Sequence, residues 1–216
     1  MQRISWNLRQ DGVRFPSRRK IKADSDLPSG DGVLPGKYKI VASYANVVDS
    51  VHVEVMMDPR VEVTAKQKAE VKQAVATYEE LVSKANEKFG KIQEARKTLK
   101  IIDVLISTIQ DTTQKEWKEI SKEHHKSLDS LEALFMDKEG LKGIQRNPNN
   151  LNAYLRTARR YIGSSIGKPG DNAMIALNKA VSKTQEVVDE IDQYMSSDWI
   201  DLKEKVESFE FSIFED

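Results

Sequence analysis

Residues 58–75 read Asp-Pro-Arg-Val-Glu-Val-Thr-Ala-Lys-Gln-Lys-Ala-Glu-Val-Lys-Gln-Ala-Val, and the chain changes character inside them. Pro59 cannot donate to a strand ladder, so Asp58-Pro59-Arg60 ends extended structure. Thr64 followed three residues later by Gln67 has the spacing of a capping box, in which each side chain satisfies an orphan amide of the other's backbone. Upstream, Gly, Pro, Val and Tyr dominate; downstream, Lys, Glu, Ala and Leu do. The boundary divides the chain into a β segment over 1–63 and a helical bundle over 64–216.

Downstream, Val71, Val75, Tyr78, Val82, Ala85, Phe89 and Ile92 recur at spacings of four and three. After one phase slip, Ala95, Leu99, Ile102, Ile106 and Ile109 continue the stripe, as in a coiled-coil-like helix over about 64–110. Thr113 with Glu116 marks a second start, and Trp117, Ile120, Leu128, Leu131 and Phe135 carry that helix over about 113–139, towards Gly140. Leu151, Tyr154, Leu155, Ala158, Tyr161 and Ile162 give a third helix over about 150–167, before Pro169-Gly170. Met174, Leu177, Val181, Thr184, Val188, Ile191 and Met195, then Trp199, Leu202, Val206 and Phe209, give the last, over about 171–210. At 1.5 Å per residue the first and last helices each span roughly 60–70 Å, and the middle two together match that length. This predicts a three-layer, four-helix, up-down-up bundle whose middle layer is one broken descending helix; a four-helix packing is the alternative.

Upstream, Ile4, Trp6 and Leu8 alternate with polar residues, as do Tyr38, Ile40, Ala42 and Tyr44, and Val51, Val53 and Val55. Pro35-Gly36 opens the second of these three strands, and 45–50 supplies a hairpin turn that pairs it antiparallel with the third. Residues 14–32 read as an irregular loop with room for one short edge strand. The fold class is therefore α+β, mostly α: a small antiparallel, β-sandwich-like segment followed by the long bundle. Three or four strands form a sheet too thin to stand alone in water, so this one needs a partner surface.

The 34 basic and 34 acidic residues cancel, leaving no net field to draw the whole chain to nucleic acid or an anionic membrane. No apolar run approaches the roughly 20 residues of a membrane span. The absence of cysteine excludes disulfides, thiolate metal sites and a cysteine nucleophile, and leaves the redox compartment open. Neighbouring His124 and His125 point about 100° apart on a helix and cannot both face one ion, and neither HExxH nor a Gly-rich phosphate loop ahead of a helix is present. No residue pattern points to a catalytic residue, metal or cofactor. Trp117, Trp199, Tyr154 and Tyr161 fall on apolar stripes and read as core. Arg14, Arg18, Arg19, Lys20 and Lys22 form a basic loop without interleaved aromatics, a solvated surface or a contact for an acidic partner. Phe211 and Phe214 are the other interface candidates, beyond the last stripe in a locally acidic stretch.

Trp6-Asn7-Leu8-Arg9, then Pro35-Gly36 with Tyr38, then Asp58-Pro59-Arg60 ahead of a helix together resemble the C-terminal region of bacterial sortilin-like, BNR-repeat proteins. Members of that family are often labelled glycosyl hydrolases. The resemblance implies a large β-propeller followed by a β-sandwich-type segment and a helical tail, and an extracytoplasmic location. The Asp-box pattern Ser-x-Asp-x-Gly-x-x-Trp of the propeller blades is absent, so any hydrolase activity would reside outside these residues. Strand-like alternation begins directly after Met1, which suits a piece of a longer parent. The expectation is a non-catalytic accessory module that docks or assembles with protein, its oligomeric state open. The alternatives are a free-standing, coiled-coil-like interaction protein in the cytoplasm, and a hydrolase using Asp and Glu brought together from loops.

Overall fold

The capping box forms as its spacing predicts: the Thr64 hydroxyl accepts from the Gln67 amide at 3.2 Å, and the Gln67 side chain accepts from the Thr64 amide at 2.8 Å. Helix α1, Ala65–Ser107, starts there. In this computed structural model the described residues are 5–19, 22, 24–60, 62–109, 112–138, 140, 147–164 and 167–209. Among them α1 is followed by α2 (Thr113–Ala133), α3 (Leu151–Gly163), α4 (Asp171–Ser196) and α5 (Asp198–Ser208). The last two replace the single final helix expected, with the break at Ser197, whose φ of −117° and ψ of −87° leave the helical region.

Side-chain pairs fix the directions. Lys84 bonds Gln185 and Lys88 pairs with Asp192, so α1 and α4 run parallel. Arg96 pairs with Asp129 and Asp103 with His125, so α2 runs antiparallel to α1. Helix α3 continues the descent of α2, because the Leu151 amide donates to Leu134 O at 2.8 Å and the Asn152 amide to Phe135 O at 3.1 Å. Free amides at the start of one helix thus meet free carbonyls at the end of another. This is the broken descending helix expected, and because α1 and α4 also touch each other directly, all of these helices pack around one shared core.

The core holds Tyr78, Val82, Phe89, Ile92, Leu99 and Ile106 of α1 against Leu128, Leu155, Leu177, Val187 and Ile191 of the other helices. Three details differ from the stripes. Helix α2 gives way to turns after Ala133, short of 139, because Leu134 and Phe135 hand their carbonyls to α3. It begins at Thr113, so this residue is helical and Thr112 takes the N-cap position. Helix α4 is rotated: Ala173, Ala176 and Ala180 are buried, while Met174 and Val181 are exposed. Alanines let α3 approach closely, and that contact selects the buried face. Tyr161, expected in the core, is exposed, with the Arg160 guanidinium 5.6 Å from its ring centroid.

The β segment forms two separate two-stranded antiparallel sheets rather than one. Strand β1 (Arg9–Asp11) pairs with β2 (Ser29–Gly32), and β3 (Gly36–Tyr44) pairs with β4 (Val47–Val55). Among the described residues the first strand starts at Arg9, after Trp6 and Leu8 of the expected alternation, because local bonds bend the chain; Ile4 lies outside the described residues. The Trp6 indole donates to Arg9 O at 3.1 Å, Asn7 Oδ1 accepts from the Arg9 amide at 3.2 Å, and Leu8 takes a φ of 58°. The expected edge strand is β2. It lies so close to β1 that a Cβ on Gly30 would stand 2.9 Å from the carbonyl oxygen of Asp11. Residues 13–18 strap this ribbon to the bundle: Val13 and Phe15 pack on the core, and Asn152 Nδ2 donates to Pro16 O at 3.3 Å.

Candidate protein-docking surface and polar clusters

The β3–β4 hairpin turns through Ala45 and Asn46, with Ala45 at a φ of 50°. Its register pairs Tyr38 with Val53, Ile40 with Val51 and Tyr44 with Val47, and places Lys37 across from Glu54 and Lys39 across from His52. Because side chains alternate across a sheet, Tyr38, Ile40, Ala42, Tyr44, Val47, Val51, Val53 and Val55 share one face, interrupted only by Asp49. At its base this face is partly covered, with Trp6 5.5 Å from Tyr38 between ring centroids. Towards the tip it is bare: Tyr44 is 82% exposed, Val47 69% and Val51 56%. Among the described residues no third strand joins either edge.

The motif residues fall into two places. Trp6, Asn7, Leu8 and Arg9 form the turn just described, and Arg9 also donates to Gly30 O at 3.0 Å. Pro35 and Gly36 start β3, and the Tyr38 hydroxyl donates back to Leu34 O. Asp58, Pro59 and Arg60 lie apart: Arg60 Nη2 reaches Asp58 Oδ2 at 2.6 Å in a local exposed pair, which holds the Asp58 carboxyl below its ordinary range. These are shaping roles.

Of the interface candidates, Lys20, Phe211 and Phe214 lie outside the described residues, and Arg19 is exposed. Arg18 is half-buried and turned onto the bundle. It pairs with Glu132, which is 8% exposed, and donates to Asp137 O at 3.0 Å. Glu132 also takes Arg96 at 3.1 Å and Gln93 at 3.3 Å. A loop arginine meeting a buried carboxylate 114 residues away is a tertiary event that no local pattern signals. Arg18→Ala should destabilise the protein by about 1–3 kcal/mol, read as a lower urea midpoint at unchanged m value, because Glu132 stays buried with fewer donors.

The two histidines serve different partners. His125 Nε2 lies 2.8 Å from Asp103 Oδ2, and Ser121 donates to the other oxygen of the same carboxylate. Serine and histidine therefore share the acid instead of bonding each other, which is not the order a Ser-His-Asp nucleophile needs. His124 Nδ1 lies 2.9 Å from the Tyr194 hydroxyl, with the Trp199 ring 6.3 Å away, and links α2 to α4 and α5. Burial among these rings pushes the His124 imidazole below its ordinary 6.5, with Lys205 and His125 acting the same way against the opposing pull of Asp198 and Glu123. A depressed histidine is neutral in the fold and takes its proton more readily once unfolded. Its contribution is thus complete above pH 6.5 and is lost as pH falls through the folded value. Urea unfolding between pH 8 and 5 should show this acid-side loss reduced in His124→Gln; equal pH slopes would sink the assignment.

One nucleophile pattern escaped the sequence reading. Residues 163–167 read Gly-Ser-Ser-Ile-Gly, which fits Gly-x-Ser-x-Gly. The pattern works as an elbow between a strand and a helix, whereas here Gly163 ends α3. Ser165 and Ile166 lie outside the described residues. Among the described residues no group of three His, Cys, Asp or Glu side chains could hold a metal ion, and no helix is long and apolar enough to cross a membrane. No protein-family model matches the chain, and no curated protein or solved structure matches it either.

Proposed function

We propose that this chain is a non-catalytic accessory module that docks through the apolar face of the β3–β4 hairpin onto a folded domain of the same polypeptide, a β-propeller of the sortilin-like kind. The carrying observation is that bare face, with Tyr44 82% and Val47 69% exposed. Two nine-residue strands offer a surface about 30 Å by 10 Å, roughly 600 Å² counted over both partners. Stable complexes between separate chains bury about 1,200–2,000 Å². A face this small holds a partner well only when tethering raises its effective concentration, which favours a domain in the same chain. The Trp6-Asn7-Leu8-Arg9 turn supports the reading, since Trp6 braces Tyr38 at the hairpin base.

The test is the mass of the endogenous polypeptide, read by immunoblot with an antibody against residues 64–216. A band far above 24.6 kDa is the expected result. A band near that mass overturns it, and favours self-association of a free-standing helical protein through Ile101 and Val104, which are 63% and 65% exposed on α1.

A further inference from the structure

A second surface, independent of the hairpin, has the opposite chemistry. Where the β1–β2 ribbon meets α3, a cleft of 580 Å³ is lined by Arg9, Arg156, Arg159 and Arg160 with the carboxylate of Asp31, and Glu79 lies close enough to feel Arg159 and Asp31. That volume lies within the range of small-ligand sites. The lining holds an excess of three positive charges in a chain whose charges cancel overall.

Two arginines are anchored by the protein itself. Arg9 Nη1 donates to Gly30 O at 3.0 Å, and Arg159 Nη2 to Ser29 O at 3.1 Å. Each bond takes one of five guanidinium N–H groups, so the backbone of β2 orients both forks while leaving most donors for something else. Arg156 and Arg160 stand one turn apart on α3 and are exposed. Like charges at this spacing repel, and α3 contains no acidic residue to relieve them. The helix dipole favours cations only in the last turn, before Gly163, so it accounts for Arg160 and not for Arg156.

We infer that this cleft binds a compact, multiply charged oxyanion of the phosphate class, with Arg156 and Arg160 gripping it and Arg9 and Arg159 held ready by the β2 backbone. Planar guanidinium forks match the paired oxygens of phosphate, and a diphosphate carries about the charge that balances the cleft.

Isothermal titration of the full chain with pyrophosphate tests this. Binding is expected to weaken at least tenfold in the double variant Arg156→Gln/Arg160→Gln and to fall as salt is raised. A charge-matched control at distant exposed sites, Lys97→Gln/Lys115→Gln, is expected to bind like the parent. Both variants change exposed side chains, and a thermal melt unchanged from the parent shows that each is folded. No binding by the parent chain, equal binding by the arginine variant, or an equal loss in the lysine control would each overturn the inference.

Discussion

Phe135→Ala should lower the unfolding free energy by about 3–5 kcal/mol, the largest loss expected from any single truncation in this protein. Phe135 is fully buried and meets Phe89 of α1 edge-on, with centroids 5.2 Å apart. It also sits at the seam of the middle layer, where its carbonyl accepts from the Asn152 amide. Truncation opens a cavity where α1, α2 and α3 converge, and the seam loses the packing that holds its backbone bonds in register. Urea denaturation measures the loss, and hydrogen exchange localises it: the amides of Leu151 and Asn152 should exchange faster than those in the middle of α4. Phe135→Leu refills most of the space and should cost well under half as much. A loss below about 1 kcal/mol for Phe135→Ala would mean that the seam does not organise the bundle.

In a polypeptide that carries the propeller, the amides of β3 and β4 should be protected from exchange, and Tyr44→Lys/Val47→Lys should abolish that protection. Both residues are exposed in the present chain, so lysine there leaves the bundle's stability unchanged. Once the face is covered, the same lysines would be buried without partners, at a cost of several kcal/mol and thus more than a hundredfold in docking equilibrium. In the chain of 216 residues alone, the hairpin amides should exchange fast with or without the substitutions, since a lone two-stranded sheet is marginal in water. Equal hairpin protection in the long polypeptide and the short chain would remove the case for docking through this face. Loss of bundle stability in the double variant would show instead that the hairpin packs on the helices.

What could be read from the residues was what short range decides. The capping box at Thr64 and Gln67 joins neighbours three apart, so it forms wherever α1 sits. The pairing of β3 with β4 needs only a tight turn and matching alternation, and the broken descent of α2 and α3 followed from lengths alone. The apolar character of the hairpin face was equally visible.

The rest required the assembled bundle. Helix α4 carries both an alanine row and a row of larger residues, and only contact with α3 selects Ala173, Ala176 and Ala180 over Met174 and Val181 for burial. Tyr161 and Trp117 sit on equally plausible stripes, yet Tyr161 is exposed and Trp117 buried, because the depth of a stripe depends on the neighbour it meets. Arg18 of the basic cluster finds Glu132 across the fold, a partner no local pattern names. The arginine cleft gathers residues from β1 and α3 that stand about 150 apart in sequence, so no window of the chain contains it. Local geometry is written in adjacent residues; the choice of which face is covered, and of which charge finds a partner, is made by contacts between elements that sequence spacing alone does not bring together.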